Sequence, residues 1–317
     1  MEKQTIHIAC ALDDKFVMTT GVMLVSLFET NKSIKFYIHI FSSNLKNENI
    51  NILQNITNKY NSDFEYYHIQ KAIFESFRTD SRISSATYYR ILIPKIINRN
   101  VKKILYLDGD IIINGDITTL WETEMNGSII GVVNDVAAVD MMENKRLNIP
   151  EEFHYFNAGM LLIDVEKWNA FDTTPKLIEY LNQNYNKNRF FDQDALNAIL
   201  YNKCKKLPPE WNQQIGIYYI YPNIINDVYS KEDIIQAKNN PVIIHFNGKE
   251  KPWHYVSLHP YKKKFMHYLA ISGLKNLDKN ITLKKIVKKE VYRILGWARW
   301  NGHIHEKYKK LLYDKWN

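Results

Sequence analysis

Apolar positions along this chain fall into short unbroken runs, set apart by longer stretches with helical spacing. The runs 6–12 (IHIACAL), 36–42 (FYIHIFS), 64–69 (FEYYHI), 103–108 (KILYLD), 129–134 (IIGVVN) and 241–246 (PVIIHF) have the length of strands buried in a sheet. Residues 16–30 (FVMTTGVMLVSLFET) are long enough for a helix, and 46–60 reads as a polar helix with Ile50, Leu53 and Ile56 on one face. Strand alternating with helix predicts an α/β fold with a mostly parallel, mixed sheet. Such sheets bind ligands at the carboxyl ends of their strands. The polar residues that follow each apolar run are therefore where chemistry is expected.

The chain has 317 residues, enough at roughly 150 per domain for one large or two ordinary domains. A core of that size needs no disulfide or metal staple. With 45% apolar and 24% charged residues, the composition excludes a disordered or fibrous chain. Two cysteines, Cys10 and Cys204, exclude a disulfide framework and a cysteine-based zinc site, and they fit a reducing compartment. The apolar run at the start is too short for a signal peptide, and no stretch reaches eighteen apolar residues, so a cytoplasmic location without a membrane span is expected. The net charge of +8 is concentrated at one end: residues 266–317 hold 12 basic and 4 acidic residues, while 1–265 balance at 30 of each. The sequence thus divides into a neutral body, 1–265, and a cationic tail, 266–317.

Four constellations carry candidate chemistry. Asp108-Gly109-Asp110 follows the apolar KILYL run directly. Two carboxylates at i and i+2 can aim hard oxygen donors at one cation, and oxygen ligands suit Mg²⁺ or Mn²⁺ holding a phosphate. A lone pair of aspartates around a glycine usually makes a surface turn; the end of a buried strand is a different place. His245 ends the run VIIH, with Gly248 and Lys251 after it. An imidazole beside carboxylates favours Mn²⁺ over Mg²⁺, and a glycine with a lysine suits a phosphate. In Phe190-Phe191-Asp192-Gln193-Asp194, Asp192 can cap a helix over 193–201 with Asp194 as a first-turn charge, or the block can form a polar cluster facing a sugar, and both can hold at once. In Tyr155-Phe156-Asn157-Ala158-Gly159, the amide of Asn157 can both donate to and accept from sugar hydroxyls, and the alternative is a tight turn before a strand.

The strings ALDDKF, ATYYRILIP, LYLDGDIII, YFNAGMLLI, FDQDALN and HFNGKEKPWH occur in this order over about residues 6–260. That pattern resembles family 8 glycosyltransferases, and most closely the bacterial enzymes that add galactose or glucose to lipopolysaccharide. The resemblance implies a GT-A fold for residues 1–265, a UDP-sugar donor (UDP-glucose or UDP-galactose), Mn²⁺ with Mg²⁺ as substitute, and retention of anomeric configuration. It implies Asp108, Asp110 and His245 as metal ligands. Ala11, Asp13, Lys15 and Phe16 would hold the nucleotide with Asp108, although Lys15 stands where relatives often carry asparagine. Gly248 and Lys251 would contact the pyrophosphate, and Arg90, Asn157, Ala158, Asp192 and Gln193 the donor sugar. Asp192, Gln193 and Asp194 are the catalytic candidates. The expectation is that Gln193 stabilises the anomeric centre while the leaving phosphate helps deprotonate the acceptor.

In the tail, Leu283, Ile286, Val287, Val291, Ile294, Leu295 and Ala298 follow helical spacing, with Lys284, Lys285, Lys288, Lys289 and Arg293 largely elsewhere on the wheel and Trp297 and Trp300 near its end. His303, Tyr308, Leu311, Leu312 and Trp316 follow among further lysines. A basic amphipathic helix with aromatic residues suits an anionic membrane surface. The expected place of the protein is the inner face of the cell membrane, with a glycan or glycolipid acceptor as partner. No nucleic-acid-binding motif is present, and nucleic acid is not an expected partner. Two other readings compete: a glycoside hydrolase, for which Asp108 and Asp110 stand too close in sequence, and a membrane-associated sugar-nucleotide or glycan-binding protein without turnover.

Overall fold

The computed structural model of the chain describes residues 5–79, 84–140, 142–219, 228–248, 251–275 and 281–300. Its strands are β1 (Ile6–Ala11), β2 (Phe36–Ser42), β3 (Asp63–His68), β4 (Lys103–Leu107), β5 (Ile111–Ile113), β6 (Ile130–Asn134), β7 (Phe156–Asp164), β8 (Cys204–Lys206), β9 (Gln213–Gln214) and β10 (Ile243–His245). Seven of them form one sheet in the order β3-β2-β1-β4-β7-β6-β8, and β5-β10-β9 form a small second sheet. All neighbours in the large sheet are parallel except those of β7, which runs antiparallel to both β4 and β6. The apolar runs account for the inner strands. Ile104, Leu105, Tyr106 and Leu107 of β4 are all buried, as a strand covered on both faces requires. The edge strand β3 carries the polar sequence DFEYYH and stays half exposed.

Helices α1 (Val17–Thr30) and α2 (Asn47–Lys59) form where the spacing predicts them and cover one face of the sheet together with the helix Lys262–Ser272. On the other face a second core gathers Trp168, Tyr88, Tyr89 and Phe156 with the 3-10 helix Ser85–Leu92 and the helices Thr173–Gln183 and Phe191–Leu200. Phe265, Tyr268 and Leu269 are buried in the α1 side of the core. The helix Lys262–Ser272 thus belongs to the body, although it spans the division drawn at residue 265 from charge. Charge marked where lysines begin to dominate, and burial follows the apolar face.

The helix expected in the tail is present as Leu283–Trp300. Leu283 is 77% exposed, Val287 55% and Val291 43%, so this apolar row faces away from the body. Residues 301–317, with His303, Tyr308, Leu311, Leu312 and Trp316, lie outside the described residues. Among the described residues no helix is long and apolar enough to cross a membrane.

Candidate active site

The carboxyl end of β4 and the end of β10 meet. β10 runs antiparallel to β5, and the turn from β4 to β5 carries Asp108, Gly109 and Asp110, so His245 comes to lie beside them. Asp108, Asp110 and His245 each offer one ligand atom, and these atoms lie within 4.8 Å of one another. His245 is 3% exposed and Asp110 is 7% exposed. His245 Nδ1 sits 2.9 Å from Asn212 Oδ1, while Asn212 Nδ2 donates to Asn157 Oδ1 at 3.0 Å. That pattern makes Nδ1 the protonated nitrogen and leaves the Nε2 lone pair 3.4 Å from Asp110 Oδ1. Two acceptor atoms facing each other in a buried corner fit a cation between them. Oxygen donors with one imidazole suit Mn²⁺ and Mg²⁺.

Glycine at 159 is required by this corner. A Cβ there would stand 2.2 Å from His245 Cε1 and 2.9 Å from Asp108 Oδ2. The strand that holds it is irregular. Pairing of β6 with β7 runs Gly131↔Leu162 and then Val133↔Asn157, so one residue of β6 faces four of β7. The bulge re-aims Asn157, Ala158 and Gly159 toward the triad. These residues stand inside a nine-residue strand and not in the tight turn that their composition also allowed.

Arg90 joins the two acidic blocks. Buried at 6% exposure, it pairs with Asp108 Oδ1 at 3.0 Å and with Asp192 Oδ2 at 2.9 Å. It donates to Ala158 O at 2.5 Å, and its guanidinium lies 4.6 Å from the Tyr106 ring centre. Tyr106 Oη and Thr87 Oγ1 donate to Asp108 and Asp192 at 2.7 and 2.5 Å. Burial pushes the Asp192 carboxyl up to about 6 against the opposing pull of Arg90. Burial also raises Asp110, but the Lys251 ammonium, 2.5 Å from its Oδ2, pulls the other way and holds it well below the usual carboxylate range.

The FDQD block opens the helix Phe191–Leu200, and its residues part ways. Phe191 adopts φ +54°, a strained conformation for a bulky side chain. Gln193 is half-buried between two buried aspartates. Its Oε1 accepts from Ala158 N at 3.0 Å and Asn157 Nδ2 at 3.3 Å, and its Nε2 donates to Asp135 Oδ2 at 3.1 Å. Asp194 is fully buried. Oδ1 accepts from Arg146 at 2.6 Å and Tyr155 Oη at 2.8 Å, and Oδ2 from the backbone N–H groups of Arg189 and Phe190 at 2.7 and 3.0 Å. Asp192 therefore does not cap the helix as expected but turns to Arg90 and Thr87, while Asp194 reaches back to the amides of Arg189 and Phe190 just before the helix. Arg146 and Arg189 also bind the buried Glu143.

The nucleotide candidates lie on two sides of the triad. Ala11 ends β1, and Asp13, Lys15 and Phe16 form the turn into α1, where Asp13 Oδ1 accepts from Lys15 N at 2.9 Å. Gly248, at φ +84°, and Lys251 follow β10. The sequence reading missed Asp135, Asn212 and Thr87. Asp135 stands immediately after β6, the position a parallel sheet reserves for ligands, and that was the signal available for it.

With this arrangement in hand, the model of the family described as "Glycosyl transferase family 8" matches residues 7–257. The chain belongs to glycosyltransferase family 8. Its relatives include general stress protein A of Bacillus subtilis, 30% identical over 84% of this chain and 94% of its own length. A lipopolysaccharide 1,2-glucosyltransferase of Escherichia coli is 28% identical over 99% of this chain and 88% of its own length. Among solved structures, the galactosyltransferase LgtC in complex with donor and acceptor sugar analogues superimposes with a TM-score of 0.76 at 20% identity, over 89% of this chain and all of LgtC. The fold of this family 8 chain is GT-A type, as the resemblance implied.

Proposed function

We propose that the protein is a retaining hexosyltransferase that moves glucose or galactose from a UDP-sugar to a lipopolysaccharide or other cell-surface glycan. The observation that carries this reading is the Asp108–Asp110–His245 corner, joined through Arg90 to Asp192 and through Asn212 and Asn157 to Gln193. A relative named as a lipopolysaccharide glucosyltransferase and a structural neighbour named as a galactosyltransferase support the choice of sugar and acceptor.

Asp108, Asp110 and His245 hold a divalent cation, Mn²⁺ or Mg²⁺, which neutralises charge on the departing diphosphate when bound. Lys251 adds a positive charge on the same side, and Gly248 leaves room for the phosphates. Ala11, Asp13, Lys15 and Phe16 receive the nucleoside. Arg90 acts from beneath: it fixes the Asp108 and Asp192 carboxylates while its own charge stays buried. The Gln193 amide, locked by Ala158, Asn157 and Asp135, faces the anomeric carbon as positive charge develops there. The bond from that carbon to the leaving phosphate breaks, the acceptor oxygen attacks from the same face, and its proton passes to the phosphate. Asp194 has both oxygens committed and serves as a clamp for this helix start, so no covalent sugar adduct forms on it.

The Leu283–Trp300 helix attaches the protein to an anionic membrane surface at its cytoplasmic face. The outward row Ile281, Leu283, Ile286, Val287 and Val291 supports this. Transfer of labelled hexose from UDP-glucose or UDP-galactose to truncated lipopolysaccharide, with and without Mn²⁺, tests the assignment. Transfer from one donor that disappears on chelation is expected; transfer undiminished by chelation refutes the metal role. Sedimentation with vesicles containing phosphatidylglycerol, but not with neutral vesicles, is expected of the helix.

A further inference from the structure

The helix Leu283–Trp300 turns its apolar row outward, and Lys285, Lys288 and Lys289 reach the body from its other side. Lys285 and Lys288 line a cleft of about 620 Å³ whose other walls include Lys15, Phe16 and Thr19 at the start of α1 and Trp253 after β10. Lys289 lies over the ring of Tyr255 at 4.3 Å, which fastens the helix beside that wall. The cleft adjoins the metal corner on two sides. A Cβ on Gly109 would lie 3.6 Å from Phe16 Cδ1, and the Trp253 ring lies 6.0 Å from Lys251 Nζ, which pairs with Asp110. Phe16 and Trp253 give the cleft beside the triad an aromatic wall of the kind that stacks a base.

We propose that the C-terminal helix forms the outer wall of the nucleoside pocket, with Lys285 and Lys288 donating hydrogen bonds to the nucleobase carbonyls and ribose hydroxyls of the donor. The inference rests on the nucleotide-sugar reading above and adds residues to it that lie beyond the matched family region, which ends at residue 257. An ammonium group only donates. Uracil presents two carbonyl acceptors, whereas cytosine presents an amino donor in place of one of them. A wall with two ammonium groups therefore discriminates between these bases, since a donor facing a donor leaves both unpaired in the cleft. The same helix then serves two surfaces, a donor pocket inside and a lipid-facing row outside.

Calorimetric titration of the full chain with Mn²⁺ present, using UDP, CDP and inorganic pyrophosphate, tests this. In the Lys285→Ala/Lys288→Ala variant, UDP affinity is expected to fall about tenfold and the preference for UDP over CDP to shrink, while pyrophosphate affinity changes less than about twofold. Pyrophosphate binding also reports that the variant is folded. Unchanged UDP affinity, or equal losses for UDP and pyrophosphate, overturns the proposal, because lysines acting only as distant charges do not separate the two ligands. Failure of the unmodified protein to bind UDP at all contradicts the donor reading itself, a result distinct from the first two.

Discussion

Asp108-Gly109-Asp110 and Asp192-Gln193-Asp194 have the same spacing, and the fold gives them opposite employment. The first pair stands in the turn between β4 and β5, with the facing edge of His245 left as an unprotonated acceptor. The second pair opens a helix, and Asp194 there is saturated by two side-chain and two backbone donors. Spacing alone does not separate a metal site from a structural clamp. What separates them is what is left over: the acceptor edge of His245 still faces Asp110, whereas every oxygen of Asp194 is met by donors.

This contrast is breakable by exchanging charges for amides. Asp110→Asn is expected to cost about a thousandfold in turnover and most of the metal affinity, by removing a ligand and the charge behind it. Stability should change little, because relief of repulsion from Asp108 offsets the lost Lys251 pair; activity assays beside thermal unfolding read both. Asp194→Asn is expected to behave inversely. Neutralising one of the two buried carboxylates that hold Arg146 should cost about 3 kcal/mol, a drop of roughly 6 °C or more in Tm, with turnover of the folded enzyme reduced less than about tenfold. If the two variants showed the same profile, the distinction between site and clamp would fail.

Gly159→Ala sharpens the comparison from the backbone side. The added methyl group occupies the space of His245 and Asp108, so metal affinity should fall about a hundredfold while nucleoside contacts at Phe16 persist. Titration of Mn²⁺ followed by electron paramagnetic resonance measures it.

The last effect leaves activity untouched and concerns a histidine that is a counterpart to His245. His39 is buried in β2 between His7, 2.9 Å away, and Tyr67 Oη at 3.1 Å. Burial, reinforced by His7, pushes its pKa down to about 3. The native state therefore keeps His39 neutral while the unfolded chain protonates near 6.5. Its contribution is complete above about pH 6.5 and is lost as pH falls toward 3, at no more than about 1.4 kcal/mol per pH unit. His39→Gln should flatten that part of the stability profile in denaturant titrations between pH 7 and 4. An unchanged slope would place the proton uptake elsewhere.

Much of the fold was legible because the inner strands are apolar along their whole length; β1, β2 and β4 need no partner information to be recognised. β9 was not, since two glutamines carry no periodic signal and pair only because β10 lies beside them. β7 was half legible: MLLI announces a strand, but its start at Phe156 is set by a bulge against β6 that no local pattern encodes. In the site, Asp108, Asp110 and His245 could be named from the ends of apolar runs, and their meeting depends on the small sheet. The saturation of Asp194 depends on Arg146 and Tyr155, distant in sequence, and so its clamp role was visible only in three dimensions. The charge boundary at residue 265 misplaced the helix Lys262–Ser272 for a related reason, because Phe265, Tyr268 and Leu269 decide its packing and its lysines do not.

The most direct test of the central claim is release of UDP from a panel of UDP-sugars by the purified full chain, with and without Mn²⁺ and with no acceptor present. Slow hydrolysis of one donor, present with Mn²⁺ and abolished by chelation or by Asp110→Asn, is the predicted result. No release from any UDP-sugar, together with no nucleotide-dependent shift in Tm, would contradict the assignment of the Asp108–Asp110–His245 corner to nucleotide-sugar chemistry.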